Sequence, residues 1–189
     1  GGTTNLGGST TFTGTGSLTV SGGTANATSA INPANLTISG GTLNLNTDMT
    51  LTGNVTLSSG SLGGTGNTTV SGPFSWTGGE LGNSSVTNGT FTTTGAVTMN
   101  PGGASNYGYL YLYRPWNLNS GASFIADGAS NSYLRFVNTA SALNVLTGQT
   151  LSILDSTTDT YNYGAYFDYS TSNPGLVNAG TDALTGGDL

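Results

Sequence analysis

Apolar and hydroxyl-bearing residues alternate along this chain in short bursts, and the bursts recur. "LTVSGG" at Leu18 returns as "LTISGG" at Leu36, "VTLSSG" at Val55, "FSWTGG" at Phe74 and "FTTTGA" at Phe91, so their first residues lie 18, 19, 19 and 17 apart. The first and third positions are Leu18/Val20, Leu36/Ile38, Val55/Leu57, Phe74/Trp76 and Phe91/Thr93, with Ser or Thr at the second and fourth. A period of two is that of a strand with one buried face. Gly or Ser follows each burst, where a tight bend or a left-handed backbone is accessible.

Further apolar pairs lie between the hexads, such as Leu43/Leu45 and Met49/Leu51, followed by Leu62 and Val70. Each period therefore predicts about three short strands separated by Gly, Asn or Asp. That is the signature of an all-β, single-stranded parallel β-helix with coils of about 18 to 19 residues. One coil cannot fold alone. A hexad buries two side chains worth roughly 1.5 to 3 kcal/mol each, whereas ordering a residue's backbone costs about 1 to 2 kcal/mol. Stacking of successive coils has to supply the difference. An antiparallel sandwich with Gly-rich hairpins is the alternative, but hairpins do not require equivalent positions to recur at eighteen or nineteen.

The texture changes near residue 107. All nine Tyr, both Arg and six of the eight carboxylates lie from Tyr107 onward, while 23 of the 32 Gly precede it. The apolar spacing continues through Leu110/Leu112, Trp116/Leu118, Phe124, Leu134/Phe136, Leu143/Val145 and Leu151/Ile153. The expected organisation is regular Gly/Thr-rich coils over 1–106, then longer Tyr-rich coils over 107–189 that end in an irregular tail.

Composition removes many functions. The chain has 189 residues, no His, no Cys, no Lys, two Arg and a net charge of −6. It cannot build a zinc site of the usual nitrogen and sulfur type, a Ser-His-Asp triad, a cysteine nucleophile or a lysine Schiff base. No metal and no cofactor is expected. Two cations are too few to neutralise phosphates, so nucleic acid is not expected as a partner. No apolar run approaches the ~20 residues of a spanning helix, so membrane insertion is not expected either. The start, with neither Met nor a signal-like segment, reads as a mature chain or an excised segment.

"NLTISGGTLNLN" (Asn35 to Asn46) and "MTLTGNVTLSSGSLGG" (Met49 to Gly64) resemble the repeats of bacterial secreted β-helices, namely autotransporter passenger domains and filamentous-haemagglutinin-like adhesins. The likeness spans about residues 10 to 155 and is one of composition and rhythm. It implies an extracellular or cell-surface protein that is structural, adhesive or both, and it carries over no functional residue.

Three features are candidates for chemistry. The first is an outward hydroxyl ladder of Thr19, Thr37, Thr56, Ser75 and Thr92, with a second column of Ser21, Ser39, Ser58, Thr77 and Thr94 beside it. Such an array resembles the ice-binding face of Thr-x-Thr antifreeze solenoids, although the second column is mostly Ser and lacks their methyl groups; ordinary solvated Ser and Thr on the outside of strands is the favoured reading. The second is "NYGYLYLYRPW", in which Tyr107, Tyr109, Tyr111 and Tyr113 share a strand face opposite Gly108, Leu110 and Leu112. Rigid amphipathic rings in a row suit sugar stacking or a protein interface, and packing beneath the Tyr-rich tail (Tyr161, Tyr163, Tyr166, Tyr169) is the alternative. The third is the acid set Asp127, Asp155, Asp159 and Asp168 with Arg114 and Arg135. Glycan lyases and hydrolases on parallel β-helices use paired carboxylates, and inverting glycosidases hold theirs ~6.5 to 9.5 Å apart. "DSTTD" is also an ordinary polar turn.

Six Asn-x-Ser/Thr sequons, at Asn26, Asn35, Asn54, Asn67, Asn83 and Asn88, are what chance produces in a chain so rich in Asn and Thr. Nothing in "GGTTNLGGST" looks like a cap for an open strand edge. The sequence therefore predicts a non-enzymatic structural or adhesive module with no catalytic residue. Its expected partners are itself, end to end or side by side, or surface glycans. Carbohydrate binding by the Tyr row, ice binding and glycan cleavage follow as alternatives.

Overall fold

The computed structural model describes residues 1–8, 15–102, 107–126, 131–155, 164–169 and 175–185, and within them the alternating segments form strands and no helix. The first third of the chain builds β1 (Thr3–Leu6), β2 (Ser17–Ala27), β3 (Asn35–Leu45), β4 (Met49–Leu51), β5 (Asn54–Gly63) and β6 (Thr68–Val70). The middle supplies β7 (Phe74–Trp76), β8 (Gly79–Leu81), β9 (Phe91–Thr93), β10 (Val97–Met99), β11 (Tyr107–Leu112) and β12 (Pro115–Leu118). Then come β13 (Ala122–Ala126), β14 (Asn131–Phe136), β15 (Ala142–Val145), β16 (Thr150–Asp155), β17 (Ala165–Tyr169), β18 (Gly175–Asn178) and β19 (Thr181–Thr185).

Every pairing among these strands is parallel and joins a strand to its counterpart one repeat away. Leu36 of β3, for instance, sits between Leu18 of β2 and Val55 of β5. Three ladders result. One runs through the first halves of β2, β3 and β5, then β7, β10, β13, β16 and β19. Another runs through β1, the second halves of β2, β3 and β5, then β8, β11, β14 and β17. The long strands β2, β3 and β5 belong to both, so the two ladders form one 13-stranded sheet. The third ladder is a separate six-stranded sheet of β4, β6, β9, β12, β15 and β18.

The glycines of the hexads turn the corner inside those long strands. Gly60 has φ of 75°, in the left-handed region, and a Cβ there would lie 2.3 Å from the carbonyl oxygen of Gly41 in the preceding repeat. Only a residue without Cβ lets two backbones approach so closely at that φ. Gly41 and Gly79 stack on either side of it with φ of 68° and 81°.

The core lies between the ladders and consists of the apolar member of each alternation. Leu36, Ile38, Leu43, Leu45, Leu57 and Leu62 are wholly buried in the early repeats. Phe74, Trp76, Phe91 and Trp116 then form an aromatic cluster with ring centroids 5.2 to 6.3 Å apart. Both indoles satisfy their N–H: Trp76 Nε1 donates to Gly78 O at 3.1 Å and Trp116 Nε1 to Thr93 Oγ1 at 3.1 Å.

Amides hold the outer edge of the second ladder. Asn26 Nδ2 donates to Asn5 Oδ1 at 3.1 Å and Asn44 Nδ2 to Asn26 Oδ1 at 2.9 Å. The next in-register residue is Gly63, beside which Asn83 swings in and donates to Asn44 Oδ1 at 3.3 Å. Stacked Asn side chains of this kind reinforce a parallel in-register ladder.

One expectation about register is overturned. Phe91 does not follow Phe74 in the hexad column. Val97 pairs with Phe74, while Phe91 pairs with Thr68 and Trp116 in the six-stranded sheet. The cause is a longer connection over 83–90, which lengthens the interval between stacked residues from 19 to 23. The repeat therefore begins to lengthen before residue 107.

Candidate functional site

The second ladder's outer face changes character along its length. One column reads Thr42, Ser61, Glu80, Tyr111, Arg135 and Asp168, each in register with the next, and within it Ser61 is buried and donates its hydroxyl to Gly82 O at 2.7 Å. Small hydroxyl residues give way to charge and aromatic rings where the repeats lengthen. Gly108, Leu110 and Leu112 of β11 are buried, which turns Tyr107, Tyr109 and Tyr111 outward, and Tyr107 is 53 % exposed. Tyr113 lies just past the strand and is half-buried. Burial raises its phenol pKa, with the Glu80 carboxylate and then Tyr111 adding to the shift.

The rings do not form a flat platform. Tyr109, Tyr133 and Tyr166 share a register position on β11, β14 and β17, with centroids 4.8 and 5.0 Å apart and planes within 20° and 19° of parallel. They use their faces on one another. Tyr107 and Tyr111 flank Tyr109 along the strand at 6.4 and 5.8 Å. Arg135 lies with its guanidinium carbon 5.4 Å from the Tyr109 centroid, and its Nε donates to Asp168 Oδ2 at 2.7 Å. That hydrogen bond is the main reason the Arg135 pKa is raised.

On the other side of Tyr111, toward the early repeats, the face drops. An open trough of about 340 Å³ has Gly41, Gly60 and Gly79 as its floor, Thr42, Ser61 and Glu80 along one side, and Tyr111 at its end. Desolvation by burial raises the Glu80 pKa.

Part of the hydroxyl ladder stacks in register. Thr19, Thr37, Thr56 and Ser75 stack in register, and the column continues through Thr98, Ser123 and Ser152. Thr92 is not in it; it lies in the other sheet between Thr69 and Asn117, so Thr94 leaves the second column too. That second column is broken as well. Ser21 pairs with Gly40 and Ser39 with Ser59, because a bulge shifts the register there, and Ser58 Oγ turns back to donate to Ile38 O at 3.3 Å. Thr77, beyond the end of β7, donates its backbone N–H to Leu57 O at 2.9 Å. Beside the ladder runs a shallow trough of about 600 Å³ lined in part by Asn35, Thr37, Asn54, Thr56, Ser75 and Thr98.

No family model, curated protein or solved structure matches the chain.

Of the acid set, Asp168 is the member that the described residues place beside an arginine. Asp127 and Asp159 lie outside the described residues, as do Tyr161 and Tyr163, and Asp155 ends β16 in the first ladder. Asp168 is paired with Arg135. Glu80 and Asp168 occupy one column but stand three strand steps apart, about 14 Å at the usual ~4.8 Å spacing, beyond the ~6.5 to 9.5 Å of an inverting pair. Arg114 is wholly buried in the interior. Its Nε donates to Gly89 O at 2.8 Å, its Nη2 to Gly66 O at 3.1 Å, and the guanidinium lies 5.6 Å from the Phe91 centroid. Burial pushes its pKa down to about 10.

Sequence reasoning passed over Glu80 and the trough. A signal was present: Glu80 stands in "TGGEL" where the preceding repeats carry Thr42 in "SGGTL" and Ser61 in "SSGSL".

Proposed function

We propose that the chain is a single-stranded parallel β-helix serving as a non-enzymatic structural or adhesive module of an extracellular or cell-surface protein. The observation that carries this reading is the stack itself. Three parallel ladders, each linking every strand to its counterpart in the next repeat, hold in place one outer face of stacked hydroxyls and another of stacked tyrosines. Such a surface is rigid, long and repetitive, which suits contact with an extended partner. The resemblance of the early repeats to autotransporter passengers and filamentous-haemagglutinin-like adhesins supports the same reading. Homo-association of the stack, end to end or lateral, belongs to it. Negative-stain microscopy tests this part: rods or filaments that lengthen with concentration are expected, and dispersed compact particles across conditions would count against it.

A second reading, carbohydrate binding at the tyrosine face, is favoured by the outward strip of exposed Tyr107 and half-buried Tyr109 and Tyr111 beside an open trough. A glycan array probed with the purified chain is expected to give hits that weaken on Tyr109→Ala and Tyr111→Ala. An array without hits would sink it.

A further inference from the structure

We infer that the glycine-floored trough ending at Tyr111 is a subsite for a neutral hexopyranose unit of an extended glycan, with Tyr111 as its stacking wall and Glu80 as its hydrogen-bond acceptor. The inference rests on the carbohydrate-binding reading and gives it a location and a ligand class. Four features of the molecule converge on it.

Tyr111 stands outside the three-ring stack, with Tyr109 as its ring neighbour at 5.8 Å along the strand. Tyr109, Tyr133 and Tyr166 cover one another, and a pyranose stacks on an aromatic face through its C–H groups, not on an edge. Tyr111 has Arg135 as its in-register neighbour on one side and Glu80 on the other, and on the Glu80 side the surface falls away to glycine.

The floor is shaped for a flat ligand. Gly41, Gly60 and Gly79 come one per repeat, so no side chain rises from that column, and a chain of rings can lie along it beside the neighbouring column of Thr42, Ser61, Glu80 and Tyr111. The larger trough beside Thr37 and Thr56 offers hydroxyls but has no tyrosine, and its Asn54 amide is already donated to Asn35 Oδ1 at 2.9 Å.

Glu80 supplies polarity. Its carboxylate lies at the side of the trough, in register between Ser61 and Tyr111, and accepts hydrogen bonds from vicinal hydroxyls; charge-assisted bonds of this kind are the stronger class. Charge also selects the ligand. Arg135 is already bound to Asp168, Glu80 is anionic and the chain carries −6, so uronic-acid polymers are repelled and neutral hexose chains are not.

Isothermal titration calorimetry of the whole chain with cellohexaose, laminarihexaose, mannohexaose and hexagalacturonate tests the assignment. At least one neutral oligomer is expected to bind, and hexagalacturonate is expected to bind at least tenfold more weakly. Tyr111→Ala and Glu80→Gln should each weaken the neutral oligomer about tenfold, Tyr111→Phe should retain binding, and Tyr166→Ala, at the far end of the stack, should leave it unchanged. Circular dichroism of each variant separates loss of binding from loss of fold, and Tyr111→Phe keeps the core packing intact. Neutral binding that survives Tyr111→Ala and Glu80→Gln but falls on Tyr133→Ala or Tyr166→Ala would overturn the subsite while leaving the sugar-binding reading standing. Absence of binding by every oligomer would overturn both.

Discussion

Substituting Gly60 by Ala separates stacking from ordinary backbone strain, because Gly148 provides a matched control. Both residues are left-handed, with φ of 75° and 80°. A Cβ at Gly148 meets nothing within 4 Å, whereas one at Gly60 would lie 2.3 Å from Gly41 O and 2.8 Å from Gly40 C, both backbone atoms of the neighbouring repeat. Each Ala pays the left-handed penalty of about 1 to 2 kcal/mol. Gly60→Ala must also push two repeats apart, an overpacking cost of about 1 to 3 kcal/mol. Gly148→Ala is therefore expected to lose about 1 to 2 kcal/mol and Gly60→Ala about 2 to 5. Urea denaturation followed by circular dichroism reads both, compared by midpoint at constant slope, since long repeat arrays depart from two-state behaviour. Equal losses for the two variants would refute the claim that the corner glycines are required by the close approach of stacked repeats.

Other outcomes follow from the same geometry. Arg114→Ala empties a buried site and strands the carbonyls of Gly66 and Gly89, so a loss of roughly 3 to 5 kcal/mol is expected by the same denaturation assay, and a loss below about 1 would contradict the buried placement. Asn44→Ala interrupts the amide ladder between Asn26 and Asn83; an accompanying loss of about 1 to 2 kcal/mol should be matched by faster amide exchange in β3 and β5, and unchanged exchange would speak against the ladder. Glu80 has a folded-state pKa raised above its ordinary 4.5 by burial, so its ionisation opposes folding: the favourable state is complete below about pH 4.5 and is lost as pH rises through the folded pKa. Glu80→Gln should therefore raise Tm at pH 7 and leave it unchanged near pH 3.5, and an equal shift at both pH values would show that burial of the charge is not the cause.

Much of this architecture is legible in the chain. The alternation in "LTISGG" marks Leu36 and Ile38 as core and the glycine pair as a corner, because each requirement is local. What the sequence hides is register after residue 82. "FTT" at Phe91 and "VTM" at Val97 have the same alternating form, and only the four extra residues accommodated in the 83–90 connection decide which one stacks on Phe74. Ladder membership is a property of neighbouring repeats, and periodicity within one strand does not report it. Arg114 shows the same limit from the other direction. A charged residue is expected at the surface, yet the carbonyls of Gly66 and Gly89 accept hydrogen bonds from its buried guanidinium. At the candidate site the tyrosines of β11 can be assigned an outward face from Leu110 and Leu112 alone. Their mutual stacking, which decides which ring faces are free, depends on Tyr133 and Tyr166 being in register across 24 and then 33 residues.

The central claim, that strands pair in parallel with their counterparts in the next repeat and follow the lengthened register, is tested most directly by disulfide trapping, for which the chain's lack of cysteine is ideal. In-register parallel neighbours stand about 4.8 Å apart, within the ~4.4 to 6.8 Å that a disulfide spans between Cα atoms. Paired substitutions Ser75→Cys with Thr98→Cys, and Thr37→Cys with Thr56→Cys, should cross-link readily under mild oxidation and leave the fold intact. Cross-linking of Ser75→Cys with Thr92→Cys in their place would contradict the account.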